Sequence, residues 1–289
     1  MDVELLEIAE FAPETLTEPS AWRGLTPVAA WIVGRARPET FVELGSHYGH
    51  SYFAFCEAIQ RAAIDTNCYA VDTWRGDEHA GVYGEDVYEF VKKHNEKRYG
   101  GFSKLLRMTF EEAAGRFHEG SIDVLHIDGL HTYQAVRSDF ETWVPKMKLD
   151  GLMMFHDICV KERNFGVWRL WDELKGVYKH HMEFKHSYGL GVLQINSAPD
   201  AKRHPWLPGD VSEKEALASY FRALGERETE RYDLKCLREQ LFVGDNGAVS
   251  RLPTLSAMQA EIDRIKRSTS WRVTRPLRAL GRALKRVSG

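Results

Sequence analysis

The chain has 289 residues, of which 43% are hydrophobic and 28% charged, and its formal net charge is −3. This length suits one full α/β domain with an appendage, and the slightly acidic balance does not favour a general nucleic-acid binder. The four cysteines are widely spaced, the amino terminus lacks a basic flank before an apolar core, and no apolar run approaches about 18 residues. We therefore expect reduced thiols, a cytoplasmic location, no zinc site and no membrane span.

Residues 1–38 are predicted to form a helical lead-in, packed through Trp22, Leu25 and the segment 28–33. From 39 to 197, short apolar runs alternate with amphipathic segments, which is typical of a mainly parallel sheet covered by helices on both faces. The predicted strands are 40–44, 67–71, 104–107, 122–127, 150–156, 180–186 and 189–195. The predicted helices are 49–64, 85–97, 110–118, 132–146 and 164–175. The last two strands are predicted to form a hairpin at one edge.

The pattern changes after this region. Residues 198–254 are predicted to form a loop and a long helix. The helix is predicted to begin at a capping box of Ser212 and Glu215 and to end at about Phe242. Residues 255–289 are predicted to form a basic amphipathic helix or tail. Two interpretations stay open: a solvated tail, or an anchor that holds the protein at the inner face of a membrane or on a glycan-assembly partner.

The segment 41–51 has the pattern of a buried strand that ends in a carboxylate, then a glycine turn and a helix start. Gly45 and Gly49 allow the backbone to approach a ligand closely, and the helix start offers unpaired N–H groups. A second apolar run ends at Asp72, where an α/β unit commonly holds a ribose diol. The two halves predict a nucleoside-bearing cofactor.

The charge after the first strand distinguishes two classes of cofactor. The turn Gly45-x-x-x-Gly49 is not the G-x-G-x-x-G turn that contacts a pyrophosphate, and Glu43 would repel a phosphate. S-adenosylmethionine has no phosphate and carries a sulfonium and an ammonium, so the residues favour it over a dinucleotide. Thr109 and Phe110, just after the third strand, are placed to contact its adenine, although Phe110 is alternatively a core residue.

Acids and imidazoles follow two predicted neighbouring strands, at Asp128 and His131 and at His156 and Asp157. The carboxyl ends of parallel strands meet at the ligand-binding edge of a sheet, so we expect these four side chains to converge. Asp128, His156 and Asp157 are candidate ligands for a divalent metal such as Mg²⁺. His131, which follows the Gly129 turn, is the candidate base for a hydroxyl proton.

Other interpretations of these residues stay open. His126 lies inside its strand and is interpreted as a packing residue. His156 could equally support a ligand rather than be one, and Asp128 could contact the methionine end of the cofactor instead of a metal.

The connection 72–84 is long and rich in glycine, aromatic and charged residues. It is predicted to be an active-site lid or a wall against which sugar rings stack, with His79 and Tyr83 as substrate contacts. Trp74 either joins that wall or closes the adenine pocket. Tyr133 is a further candidate for contact with the substrate.

Four motifs together carry a resemblance: V-E-L-G-x-x-x-G-x-S, V-D-T-W-x-G-D-x-H-A-G-x-Y-G, L-H-I-D-G-x-H-T-Y and F-H-D-I. Over about residues 25 to 196 the chain resembles class I S-adenosylmethionine-dependent methyltransferases, in particular methyltransferase family 24 of bacterial surface-glycan and secondary-metabolite loci. The resemblance implies a Rossmann-like α/β fold with a seven-stranded, mostly parallel sheet, an antiparallel edge strand and a helical carboxyl-terminal extension. It implies cofactor contacts from Glu43, Gly45, Ser46, Gly49 and Asp72, with Asp128 at the methionine end. Ser51 and Trp74 are two further predicted cofactor contacts.

Related sugar O-methyltransferases hold magnesium with paired acids at two strand tips, whereas the second tip here is His156-Asp157. The expected function is methyl transfer from S-adenosylmethionine to a sugar hydroxyl of a surface glycan or glycosylated metabolite, by a homo-oligomer with a saccharide acceptor. Two alternatives stay open. An NAD-dependent oxidoreductase is disfavoured by the missing phosphate turn, and a non-catalytic glycan-assembly scaffold would have a blocked cleft.

Overall fold

The computed structural model describes residues 3–14, 21–195, 204, 206–207, 209–242, 263–264 and 267. Its helices are α1 (Val3–Glu10), α2 (Thr26–Ala36), α3 (His50–Arg61), α4 (Glu85–Arg98), α5 (Phe110–Ala114), α6 (Tyr133–Trp143), α7 (Val167–Val177) and α8 (Val211–Phe242). Its strands are β1 (Thr40–Leu44), β2 (Asn67–Asp72), β3 (Gly76–Asp77), β4 (Gly81–Val82), β5 (Ser103–Arg107), β6 (Ile122–Ile127), β7 (Met147–His156), β8 (His181–Phe184) and β9 (Leu190–Gln194). Every strand and helix predicted between 39 and 197 is present, with ends shifted by a few residues.

Seven strands form one sheet in the order β5-β2-β1-β6-β7-β9-β8. The first five pair in parallel, whereas β9 runs antiparallel to both β7 and β8. The reversed strand therefore belongs to a hairpin at the edge, with β8 outermost. The predicted fold class is confirmed: a Rossmann-like, mostly parallel sheet of seven strands with a helical extension.

The sheet is buried on both faces because its strands alternate apolar side chains between two layers. Phe41 of β1 packs on Phe55 of α3, with ring centroids 4.5 Å apart, while its neighbour Val42 belongs to the core of the opposite face. Fully burying one such side chain contributes roughly 1.5–3 kcal/mol. This packing fixes the register in which Leu44 pairs with both Val71 and Ile127, so that three strands end at one edge.

The lead-in and the long carboxyl-terminal helix pack together on one side of the sheet. The ring of Phe221 in α8 packs against those of Trp31 in α2 and Phe184 in β8, with ring centroids 5.2 and 5.5 Å apart. The cap of α8 differs from the predicted one. Asp210 accepts a hydrogen bond from the backbone N–H of Glu213 at 2.8 Å, so the cap lies two residues before Ser212.

The loop predicted at 198–210 is described only in part. The helix or tail predicted at 255–289 lies outside the described residues, apart from 263–264 and 267. Among the helices that are described, none combines the length and the apolar character needed to cross a bilayer.

Candidate active site

The carboxylate of Asp72 holds the turn after β1. Its Oδ2 accepts hydrogen bonds from the backbone N–H groups of Ser46 at 2.9 Å and His47 at 3.0 Å, and its Oδ1 accepts one from Trp74 at 2.7 Å. Such charge-assisted bonds are about twice as strong as neutral ones. Asp72 therefore braces the turn from the tip of β2.

This bracing gives Asp72 a role that was not predicted. Its two oxygens accept three backbone hydrogen bonds, while its predicted contact with a ribose stays a prediction. Trp74 is buried and donates from Nε1 to the carbonyl oxygen of His47 at 2.9 Å. It supports the turn and is not a stacking surface for sugars.

Gly45 brings β1 and β6 together at the edge of the sheet. Its φ is +85°, and a Cβ atom at this position would lie 2.1 Å from the carbonyl oxygen of Asp128. Glycine alone satisfies both the left-handed backbone and this approach. The expected role of Gly45 in bending the chain is therefore seen directly, and it places Asp128 beside the start of α3.

A cavity of about 200 Å³ opens at this edge, over the ends of β1, β6 and β7. Four of the predicted cofactor contacts line it: Gly45, Ser46, Ser51 and Asp128. The complete lining is Ala21, Trp22, Gly45, Ser46, His47, Tyr48, His50, Ser51, Ala80, Asp128, His131, His156 and Asp157. The cavity thus joins the glycine turn to the acid and imidazole cluster.

Three polar atoms of the cavity residues are buried without a hydrogen-bond partner among the described residues. They are Oγ of Ser46, Nε1 of Trp22 and Nδ1 of His131. Buried polar groups in proteins are normally paired, because an unpaired one costs about 1–3 kcal/mol. The cavity therefore has the character of a site that a polar ligand completes.

Glu43 lies beneath this cavity and does not line it. Its side chain is fully buried, and its Oε2 lies 2.9 Å from Nδ1 of His126, which is also fully buried. Burial raises the pKa of Glu43, and His126 opposes that shift. The expected direct contact of Glu43 with a cationic cofactor is thus corrected to an internal pair, whereas the interpretation of His126 as a packing residue is confirmed.

The four predicted acid and imidazole side chains converge. Nε2 of His131 lies 2.9 Å from Oδ2 of Asp157 and 3.4 Å from Oδ1 of Asp128. Nδ1 of His156 lies 3.2 Å from Oδ1 of Asp128 and 3.4 Å from Oδ1 of Asp157. Asp157 adopts φ 62°, a left-handed conformation that is costly for an aspartate and that recurs at functional sites.

His156 serves as a buried cation in this network. Its Nε2 faces the carbonyl oxygen of Ser187 at 3.0 Å, and its Nδ1 faces two carboxylates, so both nitrogens must donate. Burial lowers its pKa, but the charges of Asp128 and Asp157 outweigh burial and raise that pKa well above the usual value. Nε2 would also donate to Ser187 if Nδ1 bound a metal, so the role of His156 as a metal ligand stays a prediction.

The remaining three side chains form the donor set that suits a metal. One ligand atom from each of Asp128, His131 and Asp157 lies within 4.8 Å of the others. Two carboxylates and one imidazole suit a divalent cation with open positions. Without a cation, burial lowers the pKa of His131, but hydrogen bonds to Asp128 and Asp157 outweigh it and raise that pKa to about 9. The two carboxylates are then balanced by two imidazoliums.

The connection 72–84 reaches the cavity, whose lining includes Ala80, and its role as a lid or as a sugar-stacking wall stays a prediction. Gly76–Asp77 pairs with Gly81–Val82 in a short hairpin that is not among the predicted strands. His79 at its tip lies 5.5 Å from the ring of His131 and stacks on Phe165 at 4.5 Å. The rings of Tyr83 and His47 are tilted to each other, with centroids 4.6 Å apart. The predicted substrate contact His79 thus lies at the reacting end.

Other predicted contacts lie away from the cavity. The hydroxyl of Tyr133 donates to Glu173 at 2.9 Å and receives a bond from Arg137 at 2.7 Å, between α6 and α7. Its predicted contact with substrate is therefore corrected to a surface bridge. Thr109 caps α5, and Phe110 packs against Gly129. Gly49 caps α3 in a left-handed conformation with φ 77°.

The structure adds residues that the pattern of the sequence does not indicate. Trp22 reaches the cavity from the lead-in, where its ring lies 5.0 Å from that of His126 and 6.0 Å from that of His156. Phe165 stacks on His131 at 4.6 Å. Neither is near the motifs in sequence, so no local signal marks them. His47, Tyr48 and His50, in contrast, occupy variable positions within the first motif and line the cavity.

Residues 42–158 match a protein-family model described as a methyltransferase domain. Over 192 residues the chain is 45% identical to a protein of Sinorhizobium fredii (strain NBRC 101917 / NGR234) described as the uncharacterized protein y4gI; the match covers 66% of this chain. The chain spans about a fifth of the length of that relative, 21%.

Three solved structures have similar but distant folds. A methyltransferase from Geobacter sulfurreducens has 13% identity and a TM-score of 0.43, over 59% of this chain and 78% of that one. The O-methyltransferase TomG from Streptomyces achromogenes, in complex with S-adenosylmethionine, has 9% identity and a TM-score of 0.45, over 68% and 91%. Spermidine synthase from Thermotoga maritima has 12% identity and a TM-score of 0.44, over 68% and 70%.

The sheet topology, the glycine turn with its buried acid and the match over 42–158 agree with one another. Residues 42–158 of the chain are similar to a methyltransferase domain.

Proposed function

We propose that the domain methylates a hydroxyl group of a saccharide acceptor, with His131 as the base. The observation that carries the proposal is the position of His131, whose Nε2 faces Asp157 at 2.9 Å while its Nδ1 is buried in the cavity without a partner among the described residues. One nitrogen is held by a carboxylate and the other is free to meet a substrate.

S-adenosylmethionine supplies a methyl group on a positively charged sulfur. Ser46, Ser51 and Asp128 line the part of the cavity that suits its amino-acid end, since they offer two hydroxyls and a carboxylate. Burial raises the pKa of Asp128, but His156 and His131 outweigh it and hold that pKa well below its usual value, so the carboxylate stays charged.

His131 would accept the proton of the acceptor hydroxyl at Nδ1, while transfer of the methyl group to the acceptor oxygen would break the carbon–sulfur bond of the donor and leave S-adenosylhomocysteine. Asp128 and Asp157 stabilise the imidazolium that forms, because both lie within 3.4 Å of its Nε2. His131 must begin neutral, and a positive charge at the sulfur position favours that form. Phe165, stacked on the ring at 4.6 Å, fixes its orientation. Alignment of the two reacting groups supplies much of the acceleration.

The saccharide class is supported by the resemblance of the motifs and by the polar mouth of the cavity. His131 lines the cavity, and His79 at the tip of the hairpin lies beside it, with ring centroids 5.5 Å apart. Imidazole nitrogens and carboxylates are suitable partners for the hydroxyl groups of a sugar.

A second candidate gives Asp128, His131 and Asp157 to a divalent cation, because their ligand atoms lie within 4.8 Å of one another. Such an ion would polarise the acceptor oxygen. The two roles of His131 exclude each other, because Nε2 cannot both carry a proton towards Asp157 and bind a metal. Titration with Mn²⁺ separates the two roles.

The proposal is tested by His131→Ala, assayed with labelled S-adenosylmethionine on a panel of saccharides. We expect turnover to fall by at least about 10²-fold, with affinity for S-adenosylhomocysteine unchanged within a few-fold. His118→Ala, a change of an exposed histidine, is the matched control and should retain activity. Full turnover in His131→Ala would remove the base assignment, and methyl transfer to none of the saccharides by the wild-type chain would overturn the acceptor class.

A further inference from the structure

A second cavity, of about 690 Å³, lies between the outermost strand β8 and the first half of α8. Lys185, His186 and Arg222 are among its lining residues, together with His181 and Glu183 of β8. We call it the β8–α8 groove. Nothing in the proposed methyl-transfer step uses it.

The groove has an excess of positive charge. Lys175 on its wall is compensated, since its Nζ lies 2.7 Å from Asp172 and 3.2 Å from Glu183. Lys185 and Arg222 are exposed and make no ion pair within the described part of the chain. The groove is lined in all by four cationic side chains, Lys175, Lys185, Lys214 and Arg222, and two acidic ones, Glu183 and Glu215. This excess of positive charge favours an anionic ligand.

Two imidazoles add hydrogen-bond acceptors to these cations. Nδ1 of His181 donates to the carbonyl oxygen of Tyr178 at 2.9 Å, and Nε2 of His186 donates to that of Gly24 at 3.0 Å. Burial lowers the pKa of both histidines. Each neutral ring therefore keeps one nitrogen that can only accept, and hydroxyl groups are the natural donors to it.

The groove is a neighbour of the candidate active site through the segment 185–187. Lys185 and His186 line the groove, and the carbonyl oxygen of the next residue, Ser187, accepts the hydrogen bond from Nε2 of His156 at 3.0 Å. His156 in turn lines the first cavity. The two cavities have no lining residue in common, so the link between them that the structure shows is this hydrogen bond.

We infer that the β8–α8 groove binds a negatively charged saccharide chain, namely the part of the acceptor beyond the sugar that is methylated. This inference rests on the proposed saccharide acceptor. The cations match carboxylate or phosphate substituents and the imidazole acceptors match ring hydroxyls. The basic carboxyl-terminal segment of the chain is disfavoured as an occupant, because nine Lys or Arg and no acid follow from Arg264 onward.

Binding is measured on the full chain loaded with S-adenosylhomocysteine, with three probes: a tetragalacturonate, a phosphorylated tetrasaccharide and a neutral maltotetraose. Lys185→Gln/Arg222→Gln should weaken binding of an acidic probe at least tenfold and leave affinity for S-adenosylhomocysteine within twofold. The control variant Lys93→Gln/Arg116→Gln removes the same charge at the opposite edge of the sheet. It should change neither the affinity for the acidic probes nor the affinity for S-adenosylhomocysteine. Preference between the carboxylate and phosphate probes identifies the anionic substituent.

The inference would be overturned if the two double variants lost the same affinity for the acidic probes. It would also be overturned if the neutral probe bound as tightly as the acidic ones. Failure of the wild-type chain to bind any acidic probe while it binds S-adenosylhomocysteine would overturn it as well. If acidic probes bind through Lys185 and Arg222 but the chain does not methylate any saccharide, the groove stands and the proposed function falls.

Discussion

Nδ1 of His126 lies 2.9 Å from Oε2 of Glu43, and neither side chain is exposed to solvent. The pair joins β1 to β6 just below the cavity, where the register places the two residues opposite each other. A buried charge is costly unless it is paired. The acid of the first motif therefore supports the floor of the site through an internal bond.

Glu43→Gln is expected to cost less than about 1 kcal/mol of the free energy of unfolding, because an amide can still form a hydrogen bond with Nδ1 of His126. Glu43→Leu should cost about 2–3 kcal/mol, since it leaves a buried imidazole unpaired. Denaturant unfolding measures both. Loss of S-adenosylhomocysteine binding in a folded Glu43→Gln protein would show that Glu43 contacts the ligand after all.

Asp72→Ala removes one carboxylate that satisfies three backbone N–H groups, at Ser46, His47 and Trp74. We expect the free energy of unfolding to fall by about 3 kcal/mol and affinity for S-adenosylhomocysteine to fall with it, as the turn loosens. Asp150→Ala, at an exposed aspartate, is the control for thermal and denaturant unfolding. Wild-type stability in Asp72→Ala would contradict the bracing role.

His94 gives the fold a pH dependence. Burial, followed by the charges of Arg98 and Lys97, lowers its pKa from 6.5 to about 4. The folded state then binds fewer protons than the unfolded state between these values, so stability falls as the pH falls from 6.5 towards 4. In His94→Gln, the difference in melting temperature between pH 7 and pH 4.5 should shrink. An unchanged difference would show that another group causes the loss.

The metal candidate is decided by titration of Mn²⁺ into the apo chain, followed by electron paramagnetic resonance. If Asp128, His131 and Asp157 hold a cation, Asp157→Asn should weaken Mn²⁺ binding at least tenfold and Asp150→Asn should not. Absence of a bound signal, together with methyl transfer that is indifferent to EDTA, would leave His131 as the base without a metal.

Much of the fold could be predicted because its signals are local. The apolar runs at 40–44 and 122–127 mark strands with their observed bounds, and the parallel order brings Asp128 and Asp157 together. The role of Asp72 could not be predicted, since a carboxylate after a strand serves a ribose or a backbone turn equally well. The contribution of Trp22 depends on the docking of the lead-in, which no local pattern encodes.

The central claim is that the cavity beside Ser46 holds the methyl donor. Calorimetric titration of S-adenosylhomocysteine into the wild-type chain and into Ser46→Leu tests it most directly, because Ser46 is 3% exposed and its hydroxyl has no partner among the described residues. The account predicts one site in the wild-type chain, at least tenfold weaker in Ser46→Leu and unchanged in Ser138→Leu, an exposed serine of α6. Equal affinity in a folded Ser46→Leu protein, or no binding to the wild-type chain, would contradict it.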